Sequence, residues 1–161
     1  MTLRGLMELQ RKLRALPGKA RQRIREAMAN GAGEIVDMAK ALVPVDKGDL
    51  KDSIGWTWGR APKGSITIGT VKETGGDLTI TIYAGSDEAF YARWVEFGTK
   101  PHSVAQGADL SRNKRQDEPD YHPGMSAQPF FYVSYRANRK RVKSRITRAI
   151  NRAAKEIAAG G

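Results

Sequence analysis

The residues best suited to chemistry fall between positions 99 and 127. Both histidines of the chain, His102 and His122, lie in this stretch. Four carboxylates are interspersed between them: Asp109, Asp117, Glu118 and Asp120. Imidazole and carboxylate groups bind metal ions, so the stretch is a candidate metal site, but the spacing matches no known ligand motif. We therefore predict no resident metal.

Nucleophilic side chains lack the partners that covalent catalysis requires. Ser53 and Ser103 have neither a base nor an orienting acid at a recognisable spacing, which argues against a hydrolase triad. The chain contains no cysteine, which excludes thiol catalysis, disulfide scaffolds and Cys-ligated metal sites. The glycine pair at 75–76 indicates a turn, because no helix follows it to present a phosphate site. The sequence predicts neither an enzyme nor a cofactor.

Positive charge is concentrated at the two ends of the chain. The 161 residues carry a net charge of +11. Residues 1–26 contain eight Lys/Arg and two Asp/Glu, residues 136–161 contain nine and one, and residues 27–135 contain 11 and 14. Basic helices of this kind contact a polyanion such as nucleic acid through phosphate charge, or are solvated faces that keep a protein soluble. A third hypothesis is that they line a channel through which DNA passes.

Helical periodicity is strongest near the two ends of the chain. A leucine stripe predicts a helix over 2–16, which a Pro-Gly pair interrupts. A second helix is predicted over 18–42 and ends before Pro44. A third is predicted over 129–158, with proline at its first position. Its basic residues are candidates to face DNA or a partner protein: Arg139, Lys140, Arg141, Lys143, Arg145, Arg148 and Arg152.

The centre of the chain alternates with the period of a β-sheet. Residues 54–58, 65–71 and 78–83 each predict a strand, and turn residues at 73–77 join the last two as a hairpin. Trp56 and Trp58 share one strand face, where sheet packing is favoured over a base-stacking platform.

The connections around this sheet differ in length. Residues 45–52 predict a turn, and residues 87–97 predict a short helix with Ser86 as its N-cap. Residues 99–127 have no apolar periodicity, which predicts a long loop of the kind that is either functional or disordered. The large side chains on one side of the short helix are Phe90, Trp94 and Phe97.

Together these elements predict the α+β class. We expect an antiparallel sheet of about four strands, packed by N-terminal helices and a long basic C-terminal helix, with a long inserted loop. The expected single domain spans 1–161. Its parts are N-terminal helices at 1–43, the sheet and short helix at 45–98, the inserted loop at 99–127 and the C-terminal helix at 128–158. No apolar run reaches the roughly 18 residues of a membrane span, so no membrane contact is expected.

Three segments together resemble a known family. Residues 43–54 read VPVDKGDLKDSI, residues 91–99 read YARWVEFGT, and residues 127–131 read AQPFF. In this order they resemble the tail-completion and neck (tail-terminator) proteins of long-tailed bacteriophages, the minor-tail-protein-Z-like family. That family has a VPVDTGxLxxSI turn after its N-terminal helix, then YAxxVEFGT, AQPF and a C-terminal helix.

The resemblance marks particular residues of this chain. In the turn they are Val45, Asp46, Gly48, Leu50 and Ser53. In the helix and the candidate interface they are Tyr91, Ala92, Val95, Glu96, Phe97, Gly98, Thr99, Gln128, Pro129 and Phe130. Two departures are visible: Lys47 stands where the family has threonine, and the long link before Gln128 is an insertion whose role the family does not supply. Independently of the family, Glu96 in an apolar helix needs a cation or a backbone donor.

The resemblance implies a structural virion part. Such proteins form a ring, often sixfold, at the head–tail junction of a phage or of a related gene transfer particle. The ring terminates the tail tube and docks it to the head connector or stopper, and DNA passes through its channel.

We therefore expect a homo-oligomeric ring, with a hexamer favoured. Its expected partners are the tail tube protein, the head connector or stopper protein and, transiently and nonspecifically, DNA. Its assembly is expected in the bacterial cytoplasm. The alternative function is a small basic protein that binds DNA without sequence preference.

Overall fold

The computed structural model describes residues 18–68, 79–103 and 121–158. Within these ranges the helices are α1 (Gly18–Leu42), α2 (Asp49–Asp52), α3 (Ala92–Phe97) and α4 (Phe131–Ala158). The strands are β1 (Gly55–Trp58), β2 (Ile66–Ile68), β3 (Ile80–Ala84), β4 (His102–Ser103) and β5 (Tyr121–His122). The predicted α+β class is confirmed. The helix predicted over 2–16 and the hairpin turn predicted at 73–77 lie outside the described residues.

Helices α1 and α4 form an antiparallel pair with two separate apolar clusters. The main core joins the C-terminal half of α1 to the sheet and the start of α4, where Phe130 and Phe131 are fully buried. A smaller cluster at the outer end of the pair contains Ala20, Ile24 and Ala153. None of the described helices is long and apolar enough to cross a bilayer.

Gly31 allows the two long helices to approach closely. A Cβ at this position would lie 2.5 Å from Cγ1 of Val142, whereas a Cβ at Gly33 would meet nothing within 4 Å. We expect Gly33→Ala to stabilise the protein by about 1 kcal/mol through helix propensity. Gly31→Ala gains the same propensity but overpacks the interface, and we expect a net loss of about 1 kcal/mol. Thermal unfolding of the two variants measures the difference, and an equal rise in Tm for both would contradict the close contact.

The main sheet is antiparallel with strand order β1-β3-β2. Trp56 pairs with Ile82, and Thr67 pairs with Tyr83. The sequence predicts about four strands in this sheet, but three form it among the described residues, and β4–β5 is a separate two-stranded ladder. That ladder closes the ends of the long loop, whose residues 104–120 are not described.

Both tryptophans of β1 make packing contacts within the protein. Trp56 packs against the main core. The guanidinium carbon of Arg25 lies 4.0 Å from the ring centroid of Trp58, a cation–π contact between α1 and β1. Both observations favour sheet packing over base stacking.

The helix predicted over 87–97 begins later, at Ala92. Ser86 does cap backbone donors, since its Oγ accepts the N–H groups of Glu88 and Ala89. The turn it caps packs against the connection before β2 instead of continuing as a helix. A Cβ at Gly64 would lie 2.9 Å from the Asp87 nitrogen and 3.0 Å from the Ser86 carbonyl carbon, so the two segments are in close contact.

A candidate assembly surface where the motif segments meet

The first motif segment is a helical turn introduced by a glycine. Gly48 has φ +100°, a left-handed conformation that favours glycine. It is followed by α2, where the sequence predicted a simple turn. The N–H groups of Asp52 and Ser53 donate to the carbonyls of Gly48 and Asp49, each at 3.0 Å. Leu50 points from this turn into the main core.

Ser53 joins the same turn to the sheet. Its Oγ donates to the Leu50 carbonyl at 2.7 Å and accepts the Gly85 N–H at 3.0 Å. Both hydrogen-bonding directions of the hydroxyl are therefore used to hold backbone. The side chain that the sequence raised as a candidate nucleophile is a link between two segments.

The second and third motif segments are joined by backbone contacts. The Gln128 N–H donates to the Val95 carbonyl at 2.8 Å, and Thr99 and Met125 exchange two N–H···O bonds at 2.9 and 3.1 Å. At Gly98, φ is +72° and an added Cβ would lie 2.6 Å from the Met125 oxygen. Only glycine fits this crossing without displacing backbone. The contact with residues 125–128 therefore requires glycine at the end of the segment at 91–99.

Glu96 completes the junction by capping α4. Its side chain is only 3% exposed. Oε2 accepts the N–H groups of Phe130 and Phe131 at 2.9 and 2.8 Å, and Oε1 accepts the Tyr132 N–H at 3.0 Å. The first donors of a helix have no partner within the helix, and its N-terminus favours negative charge. A carboxylate more than 30 residues away in sequence therefore satisfies them.

This cap also explains where α4 begins. Pro129 was predicted as its first residue, but the helix starts at Phe131. The first N–H group that Glu96 accepts belongs to Phe130, so the capped turn begins one residue after Pro129. Pro129 therefore lies just outside the helix.

A groove lies where these segments meet, and we call it the motif groove. Its volume is about 320 Å³. It is lined by residues of all three motif segments or their neighbours: Pro44, Val45, Asp46, Lys47, Gly48, Leu50, Lys51, Tyr91, Val95, Met125 and Gln128. Val45 is 61% exposed, although valine is usually buried. The motif residues thus form a shaped surface as well as a core.

Beside the groove, α3 and the turn before it present an aromatic patch of Phe90, Trp94 and Phe97. These side chains are 55%, 48% and 57% exposed. The rings of Phe90 and Trp94 meet edge to face at 5.2 Å between centroids, and Phe97 contacts Tyr132 at 5.7 Å. Clustered exposed aromatics are typical of protein–protein contact surfaces. The sequence placed the three on one side of the helix, but their exposure depends on which side faces the core.

Comparison with protein families finds a match over the part of the chain that holds the first motif segment and most of the second. The model described as "Bacteriophage HK97-gp10, putative tail-component" matches residues 7–98, more than half of the chain. The chain belongs to this family. As a member of the HK97-gp10-like family it is a bacteriophage tail component, and its place is the virion. No curated protein and no solved structure matches the chain significantly. The matched range includes the first motif segment and the second up to Gly98, so a counterpart of 127–131 in this family remains a prediction.

The structure brings the histidine pair together, and the described residues around it supply no third metal ligand. His102 and His122 face each other across β4–β5, with ring centroids 5.1 Å apart. His102 Nδ1 lies 2.9 Å from the Lys100 carbonyl, and His122 Nδ1 accepts the Gly124 N–H at 3.0 Å. Among the described residues no group of three His, Cys, Asp or Glu could hold a metal. The four carboxylates considered with the histidines lie outside the described ranges.

The candidate basic residues of α4 have different surroundings. Arg141 and Arg145 form ion pairs with Glu34 of α1, at 3.0 and 2.5 Å. The other five are exposed along the helix: Arg139, Lys140, Lys143, Arg148 and Arg152. Two of the seven charges therefore hold the helix pair together within the chain.

Proposed function

We propose that this tail component forms a ring at the head–tail junction, where it terminates the tail tube and joins it to the head connector or stopper. The observation that carries the proposal is the convergence of the motif segments on one exposed surface. Glu96, Gly98 and Ser53 hold the backbone of these segments, while Val45 and the aromatic patch remain outside. Hydrogen bonds hold the backbone beneath this surface, and its exposed side chains are apolar. Both features suit it to docking another protein.

A ring requires one surface to meet a different surface on the next copy. Such a heterologous interface closes when its rotation divides a full turn, and we favour six copies. The motif groove and the aromatic patch supply one side of that contact. In the described part of the sheet, β1 and β2 are the edge strands, and strand addition offers the other side.

The proposed role involves no catalysis and no cofactor. The work of such a ring is to hold the tail tube, to bind the head connector or stopper, and to leave a channel for DNA. Assembly takes place in the bacterial cytoplasm, in a phage or in a gene transfer particle that uses the same part. DNA contact in the channel is transient and independent of sequence, since base readout would slow its passage.

Removing the chain from its particle tests this role. We expect DNA-filled heads and separate tails to accumulate, because no ring joins them, and we expect the wild-type chain supplied in trans to restore joined particles. Electron microscopy and infection or transfer counts measure both results. Normal joined particles without the chain would contradict the proposal.

The alternative, a free DNA-binding protein, is favoured by the charge at the outer end of the helix pair. It predicts tight duplex binding by monomers and no defect in head–tail joining. Light scattering of the purified chain, with and without duplex DNA, separates it from a ring-forming protein.

A further inference from the structure

A second groove lies between α1 and α4 at their outer end, away from the motif groove. Its volume is about 400 Å³. Four arginines line it, Arg23 from α1 and Arg145, Arg148 and Arg152 from α4, together with Asn30 and a single carboxylate, Glu26. We call this feature the arginine groove. Its lining carries an excess of positive charge inside a concave surface, which strengthens the local potential.

The charges of the arginine groove are only partly balanced within the chain. Arg23 pairs with Glu156, and Arg145 pairs with Glu34. Glu26 accepts a hydrogen bond from Gln22 at 3.0 Å. Arg148 and Arg152 form no ion pair with any residue in the described part of the chain. Two guanidinium groups are therefore available to an external anion.

The spacing of these residues argues against a merely solvated face. Positions 145, 148 and 152 are three and four residues apart, so their side chains share one face of α4. Like charges four residues apart destabilise a helix by a few tenths of a kcal/mol unless an anion offsets them. Arg23 and Arg145 add less repulsion, because Glu156 and Glu34 pair with them.

The lining also indicates which anion fits. No aromatic side chain lines the groove, so it has no platform on which unpaired bases could stack. Its apolar lining consists of two alanines, Ala27 and Ala149, which is a poor anchor for a protein partner. Arginine binds phosphate oxygens through two parallel N–H groups, and contacts of this kind do not depend on base sequence.

We propose that the arginine groove binds the phosphate backbone of duplex DNA. The inference rests on the proposed function, because a ring at the junction brings the chain next to the DNA in its channel. It deepens that function by placing the outer end of the α1–α4 pair, rather than the motif groove, toward the channel. The contacts hold DNA weakly and allow it to slide, since phosphates recur along the duplex.

A matched pair of variants tests the arginine groove. The first is Arg148→Gln with Arg152→Gln. The control is Arg139→Gln with Lys143→Gln, which has the same spacing on the same helix, the same loss of charge and similarly exposed side chains. At about 100° per residue the control positions lie on the side of α4 opposite to Arg148. Binding of the full-length chains to a labelled duplex is measured by fluorescence anisotropy between about 50 and 200 mM salt.

We expect the groove variant to bind duplex at least about tenfold more weakly at about 0.1 M salt, with a salt slope shallower by about 2 because two phosphate contacts are lost. The control should keep most of its affinity and slope. Equal losses in both variants would show diffuse attraction by net charge and overturn the proposal. No duplex binding by the wild-type chain would overturn it as well.

A particle assay keeps this proposal separate from the proposed function. Each variant is supplied to particles that lack the wild-type chain, and joined heads and tails are counted. We expect the groove variant to join heads to tails but to slow DNA transfer. A groove variant that binds duplex normally but fails to join heads would show an acidic protein surface as the ligand and overturn the DNA assignment. If the wild-type chain does not act at the junction, the proposed function fails, whatever the duplex measurement shows.

Discussion

Glu96→Ala is expected to lower the free energy of unfolding by about 3–4 kcal/mol and the Tm by roughly 10 °C. Three N–H groups at the start of α4 lose their acceptor, and two of them belong to buried residues, Phe130 and Phe131. A hydrogen bond to a charged group is worth about 1.5–3 kcal/mol, and a buried donor left unpaired costs about as much. Chemical and thermal unfolding followed by circular dichroism measure the loss.

Two further substitutions make the interpretation specific. Glu96→Gln keeps one side-chain oxygen as an acceptor but places an amide NH₂ beside the remaining donors, so we expect about half of the loss. Glu88→Ala removes an exposed carboxylate from the turn before α3 and should change stability by less than about 0.5 kcal/mol. If Glu96→Ala behaved like Glu88→Ala, the cap would not hold α4 in place.

Replacing two of the three aromatic patch residues is expected to weaken subunit association strongly while leaving the subunit folded. In the variant Phe90→Ser with Trp94→Ser, two half-exposed rings that pack on each other are removed. We expect about 1 kcal/mol of lost stability, because an aromatic pair of this kind contributes about that much. A tryptophan at the centre of an interface contributes about 2 kcal/mol or more, so subunit association should weaken at least about thirtyfold. Light scattering and sedimentation measure the assembled mass.

Leu42→Ser serves as the control for loss of exposed apolar surface. Leu42 is similarly exposed but lies at the end of α1, outside the aromatic patch and the motif groove. We expect its assembled mass to equal that of the wild type. Unchanged assembly in the double variant would remove the patch from the interface and leave the motif groove or the sheet edges in its place.

Elements with a long, uninterrupted pattern were predictable from the sequence. α1 ends at Leu42, before the proline at 44, as the periodicity predicts. The strands around Trp56 and Ile82 were also predicted, because alternation over several residues distinguishes a strand from a helix. Such patterns depend only on neighbouring residues, and the elements that they predict are present in the structure.

The predictions that failed depended on contacts between distant segments. The helix at 87–97 was predicted too long because the turn that precedes it packs against the connection at Gly64, which only the fold reveals. The start of α4 was placed at Pro129 because the capping carboxylate of Glu96 lies far away in sequence. The requirement that Glu96 find donors could be inferred from its apolar surroundings, but which donors it finds could not.

The candidate sites were predictable to different degrees. The motif segments were recognised in order, but their convergence on one groove depends on the crossing at Gly98 and on the Gln128 contact with Val95. The basic residues of α4 were recognised as a group. Their division into ion-paired and exposed members depends on Glu34 of the facing helix, which periodicity does not reveal.

Locating the chain in the assembled particle tests the central claim most directly. A C-terminal epitope tag on the full-length chain is labelled with gold-conjugated antibody, and intact particles are imaged by electron microscopy. The junction role predicts one cluster of gold per particle, at the point where the tail meets the head. Label at the distal tail tip, along the tube, or only on material outside the particles would contradict it.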